Sequence, residues 1–285
     1  MKYIKKIILA LCFVLALAGC SDTNEKIQQN TEEATVEIAT TEEVTTEEMS
    51  TVATTEEITT EEITTEEVVV EPQKKGILIA IDPGHQGPNV DMSAKEPNAP
   101  GSSEMKTKAT CGTSGKFSGV PEYQLNLDIA LMVKDALVEQ GYDVIMTRED
   151  NDTAISNAER ATLANEAGAD VSVRIHANGS EDSSVDGALM LIGSQSNPYV
   201  GVVYDDSYRL ADSILSHYCQ ATGMANLGIQ TNDTMTGINW SQIPVVILEM
   251  GFMSNETDDL NMANESYRQK MVEGIVNGIN AYYGY

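Results

Sequence analysis

Three short apolar runs in this chain each end in a side chain of the kind that binds metals. ILIAIDPGH spans Ile77 to His85, VSVRIH spans Val171 to His176, and PVVILEMG carries Glu249. Runs of this length, rich in β-branched residues and closed by turn residues such as Pro83-Gly84, have the dimensions of central strands buried on both faces. In such sheets ligands bind outside the carboxyl ends of the strands, and His85, His176 and Glu249 fall there.

The segments between these runs carry helical periodicity. From Glu122, apolar residues at Leu125, Ile129, Met132, Val133, Ala136 and Leu137 share one helical face, and Gly141 ends the element. The pattern predicts further helices over Thr153 to Gly168, Tyr204 to Thr222 and Tyr267 to Tyr282, and strands over Tyr142 to Thr147 and Gly187 to Ile192. Gly223 to Asn239 reads as irregular around one short strand. Gln86 to Gly119 is polar and rich in Gly, Pro, Ser and Lys, so it reads as a long loop of the kind that carries function. Alternating strands and helices predict an α/β fold: a single three-layer αβα domain over residues 76–285 with a mostly parallel central sheet.

The first 75 residues have a different composition. Lys2, Lys5 and Lys6 precede the apolar core ILALCFVLALA, the pattern of a secretory signal. Leu17-Ala18-Gly19-Cys20 resembles a bacterial lipobox. That resemblance implies cleavage before Cys20, lipidation of its thiol, and a protein held on the outer face of a membrane, the alternatives being an ordinary signal peptide or an uncleaved anchor. Residues 21–75 are near-repeats of Thr and Glu, with 16 acidic side chains against 3 basic ones and neither glycine nor aromatic residue. Such a segment cannot bury enough apolar surface to offset its ordering entropy, so it is expected to be a disordered linker. As a flexible coil it would span about 40 Å, and at full extension roughly 180 Å, a reach that suits a cell wall. A binding or glycosylated tract is the competing reading.

Charge narrows the function classes. The chain carries a net −27, and even without the linker the domain is strongly acidic. Nucleic acid recognition calls for a basic stripe and is excluded as an expectation, and an anionic wall polymer would have to be held by shape and hydrogen bonds. Cys111 and Cys219 permit one disulfide but form no framework. Cys219 fits a buried thiol, and His217, on a helix, fits a structural or solvent-facing residue.

Two of the three histidines therefore terminate strands. A catalytic zinc site takes three ligands from His, Glu or Asp and leaves a fourth position open. His85, His176 and one carboxylate satisfy that rule, with Glu122 and Glu249 as the candidates for ligand and proton shuttle. Glu122 lies in a first helical turn, where the macrodipole favours a carboxylate in any case.

At these residues the sequence resembles the zinc-dependent N-acetylmuramoyl-L-alanine amidases, cell-wall hydrolases that cut the bond between muramic acid and the stem peptide. The resemblance rests on IDPGH (Ile81 to His85), EYQLNL (Glu122 to Leu127), TRED (Thr147 to Asp150), Arg160 with Asn165, RIHAN (Arg174 to Asn178) and LEMGFMSN (Leu248 to Asn255). It implies Zn2+ on His85, Glu122 and His176, with Glu249 as the catalytic carboxylate. Asp82 would orient a ligand histidine or else bond the Pro83-Gly84 turn, and Arg160 and Asn178 would brace the site. Peptidoglycan is the implied substrate, reached by a monomeric domain on a lipid anchor at Cys20. Arg174, where many relatives have a small polar residue, and the long 86–119 segment depart from the family pattern and bear on selectivity. An inactive wall-binding module and a zinc peptidase acting within wall peptides are the alternatives.

Overall fold

The computed structural model describes residues 72–285. The expected signal sequence, Cys20 and nearly all of the linker lie outside them. In chain order the elements begin with β1 (Leu78–Pro83), β2 (Lys95–Pro97), β3 (Met105–Thr107), α1 (Glu122–Glu139), β4 (Asp143–Met146), α2 (Asn157–Glu166) and β5 (Val171–Asn178). They continue with β6 (Ala188–Ile192), α3 (Tyr204–Thr222), β7 (Asn226–Thr231), α4 (Thr236–Asn239), β8 (Val245–Phe252), α5 (Glu256–Ala263) and α6 (Glu265–Tyr283).

The central sheet has the order β4-β1-β5-β8-β6-β7. Its first four strands are parallel, whereas β6 runs antiparallel to β8 and parallel to β7. Strand alternation sorts the side chains into two layers. Ile79, Ile81, Val173, Ile175, Val246 and Leu248 point to one face and pack with Leu125 and Ile129 of α1, Leu210 and Ile214 of α3, and Ile275 and Ile279 of α6. Each such side chain contributes roughly 1.5–3 kcal/mol by leaving water. The other face is thinner: Ala80 packs on Ala164 of α2, and Val245 and Ile247 pack on Ile238 of α4. On that face alternation also sets Asp82, Arg174, His176 and Glu249, with Asp82 beside Arg174 and His176 beside Glu249 in register. The expected three-layer, mostly parallel α/β domain is what forms.

Three local expectations are corrected. The segment 86–119 is not a plain loop, because β2 and β3 pair as an antiparallel hairpin with Lys95 opposite Thr107. Its strands lack an alternating apolar pattern and are held by polar ties instead: Glu96 is buried and accepts from Ala158 N at 3.1 Å, and Trp240 Nε1 donates to Pro97 O at 2.9 Å. The second helix starts at Asn157 rather than Thr153. Ser156 and Glu159 form a reciprocal capping box there, while Thr153 is bonded to Asp150 in the preceding turn. Finally, α5 is an extra helix, capped by Asn255. Cys111 and Cys219 are not bonded to each other. His217 sits half-buried on α3 with Nδ1 2.8 Å from Ser213 O.

Candidate metal centre

The carboxyl ends of β1, β5 and β8 meet the first turn of α1. Glu122 Oε1 lies 3.0 Å from His85 Nε2 and 3.3 Å from His176 Nδ1, and one ligand atom from each of the three side chains lies within 4.8 Å of the others. Ligands about 2.0–2.1 Å from a tetrahedral ion stand roughly 3.3 Å apart, and the two separations from Glu122 Oε1 are of that size. His176 faces the cluster through Nδ1, and its Nε2 is buried without a hydrogen-bond partner. Two imidazoles and one carboxylate thus form a donor set that fits zinc.

Each of the three side chains is held from behind. Glu122 Oε2 accepts from Thr113 N at 2.9 Å, and its Oε1 from Asn126 Nδ2 at 3.4 Å and Ala177 N at 3.3 Å. Burial would raise its pKa, but the two histidines prevail and hold it well below the ordinary value. His85 Nδ1 lies 3.1 Å from both Thr110 O and Thr110 Oγ1; a proton shared with that carbonyl leaves the Nε2 lone pair facing the cluster. Burial lowers the His176 pKa to about 4, so the ring is neutral and able to ligate. Gly84 lies flat against that ring, and a Cβ there would stand 2.2 Å from His176 Nε2.

Glu249 pairs in register with His176 and on the same face of the sheet. Burial, then the Glu122 charge, push its pKa up to about 8 against the opposing pull of Arg174. A carboxylate beside a candidate ion can both accept and return a proton, and the charge of a bound cation would counter the upward push on Glu249.

Beneath the ligands lies a buried ionic cluster. Asp82 accepts from Arg160 Nη1 at 2.6 Å, from Arg174 Nε at 2.6 Å and from the Thr147 hydroxyl. Its oxygens are therefore spent on arginines and a threonine. The ligand histidine it was expected to orient is bonded by Thr110 instead. Arg160 also donates to Pro83 O at 2.7 Å and His85 O at 2.8 Å, bracing the turn. Asn178 accepts from Gly179 N through its side chain and from Met253 N through its carbonyl, so its contacts secure the loop after β5.

The sequence profile of the N-acetylmuramoyl-L-alanine amidase family matches residues 79–281. The chain belongs to that family. The N-acetylmuramoyl-L-alanine amidase Rv3717 of Mycobacterium tuberculosis is 30% identical over 212 residues, covering 72% of this chain and 85% of that protein. The crystal structure of the amidase Ami1 from Mycobacterium smegmatis superposes with a TM-score of 0.67 at 26% identity, covering 74% of this chain and 99% of that one. An N-acetylmuramoyl-L-alanine amidase structure from Clostridium difficile gives 0.60 at 28% identity, covering 73% and 97%.

Within this amidase fold, sequence reasoning missed Thr110, Thr113, Asn126 and Arg148. Thr110 and Thr113 flank Cys111-Gly112 in a segment without periodicity. The EYQLNL motif contained Asn126, but only the fold shows that it bonds both Glu122 and Gly84 O.

Proposed function

We propose that this protein hydrolyses the amide bond between N-acetylmuramic acid and the L-alanine of the peptidoglycan stem peptide, with zinc held by His85, Glu122 and His176. The convergence of these three side chains from β1, α1 and β5 next to Glu249 carries the reading. Zinc held by these three side chains would supply Lewis acidity toward the scissile carbonyl and the attacking water. Glu249 takes a proton from the attacking water and delivers it to the departing alanine nitrogen, returning to its starting state after each turnover. Glu122 and the neutral His176 stay fixed by Thr113, Asn126 and Gly84, so little reorganisation accompanies the reaction.

The amino-terminal sequence completes the reading. Export, lipidation at Cys20 and the acidic 21–75 tether place a monomeric catalytic domain outside the membrane, within reach of the wall. Among the described residues no helix is long and apolar enough to cross a membrane.

Mass spectrometry of fragments released from purified peptidoglycan tests the reaction. Stem peptides with a free L-alanine amino terminus are expected, absent after chelation and restored by Zn2+; cleavage within the peptide overturns the assignment. The close approach at Gly84 gives a second expectation. Gly84→Ala should displace the His176 ring at a cost of about 1–3 kcal/mol, typical of overpacking, and the purified variant should retain less zinc on dialysis than the wild type.

A further inference from the structure

Arg148 is 2% exposed, and its five hydrogen bonds all end on uncharged oxygens. Nε donates to Pro83 O at 2.9 Å, and Nη1 to Asp150 O at 3.0 Å and Asn151 Oδ1 at 3.1 Å. Nη2 donates to Gly84 O at 2.9 Å and Tyr123 O at 2.8 Å. Those last two carbonyls matter most. Gly84 immediately precedes His85, and Tyr123 immediately follows Glu122, so one guanidinium nitrogen joins the backbones of two ligands that are 37 residues apart in the chain.

The backbone at His85 needs such a joint. With φ of 63° it is the one non-glycine residue with positive φ among the described residues, a left-handed conformation that persists only where its surroundings over-determine it. Both peptide planes flanking its Cα are pinned: the first through Gly84 O, by Arg148 and Asn126, and the second through His85 O, by Arg160. Of these, Asn126 stands on α1 and meets the Glu122 side chain, while Arg148 ties Gly84 O to the α1 backbone at Tyr123 O. Its charge cannot be the benefit, because a cation next to a metal site opposes metal binding. A planar fork with donors in fixed directions can be.

We propose that Arg148 is a positioning residue that fixes His85 and Glu122 at metal-binding separation by bridging Gly84 O and Tyr123 O. The inference rests on the metal-centre reading above. Its test uses the full chain with Arg148→Lys, which keeps the charge and loses the fork, and Arg148→Met, which loses both. Zn2+ affinity is measured by competition with a chromophoric chelator, the Co2+ absorption spectrum reports ligand geometry, and thermal melting reports the metal-free fold. Both variants are expected to melt cooperatively without metal, to bind Zn2+ about 10- to 100-fold more weakly, and to give an altered Co2+ spectrum. Wild-type affinity and spectrum in either folded variant overturn the proposal. So does full rescue by lysine, which would assign the effect to charge, and so does failure of both metal-free variants to fold, which would make Arg148 a folding residue. A wild-type protein that binds no Zn2+ would instead remove the metal-centre reading itself, and the inference with it.

Discussion

Glu249→Gln is expected to lower turnover by about 10² to 10⁴ while leaving bound zinc at the wild-type level. The substitution keeps the shape of a side chain on a buried strand, where β8 lies between β5 and β6, so the fold has no reason to change. It removes the one property the reaction needs from this position, an oxygen that can take up and release a proton. The loss corresponds to about 3–5 kcal/mol of barrier. Glu249 lies outside the His85, Glu122 and His176 cluster, so the metal content should be indifferent to it. Release of stem peptide from purified peptidoglycan, measured beside zinc content by elemental analysis, separates the two effects. Turnover within about fivefold of wild type would move the proton-carrying role to another group, and loss of zinc would make Glu249 a ligand.

The strand-end histidines were legible because burial, length and turn chemistry all register in residue type. A run such as ILIAIDPGH has few other ways to fold, and the sheet then sends His85, His176 and Glu249 to one end. Glu122 was marked as a ligand by the family resemblance and not by its own position, since a helix N-terminus attracts a carboxylate without any metal; the approach of α1 to β1 and β5 brings it against both His85 and His176. The supports behind the ligands were harder to read. Arg148 and Arg160 act on backbone carbonyls, which every residue possesses, so nothing in the sequence marks their targets. Thr110 and the β2-β3 hairpin escaped for a related reason: they are held by scattered polar ties to α2, α4 and the turn after β1, with no periodicity to announce them. Arg174 stood out as a departure from the family pattern, and the fold shows its use, for its guanidinium takes the second oxygen of Asp82.

That pairing makes Asp82→Asn the substitution with the largest expected effect on stability. Asp82 is 1% exposed, with Arg160 and Arg174 each at 2.6 Å. Burial by itself would raise its pKa, yet the two guanidiniums and the Thr147 hydroxyl outweigh burial and hold the carboxyl well below the usual range. Neutralising it leaves two buried cations without their anion, a change that typically costs about 3–5 kcal/mol. The pH dependence has a definite sign. A depressed folded-state pKa stabilises the protein fully above the unfolded value of about 3.9, and the stabilisation is lost as pH falls below that value toward the folded pKa, because the unfolded chain then binds the proton first. Urea unfolding should therefore show a wild-type advantage over Asp82→Asn that is constant near neutrality and shrinks below about pH 4. An advantage that stays constant down to pH 2.5 would mean the carboxylate charge is not what holds the two arginines. Equal stability at pH 7 would mean that the cluster tolerates a neutral centre, and that the turn carrying His85 is fixed by hydrogen bonds to its carbonyls alone.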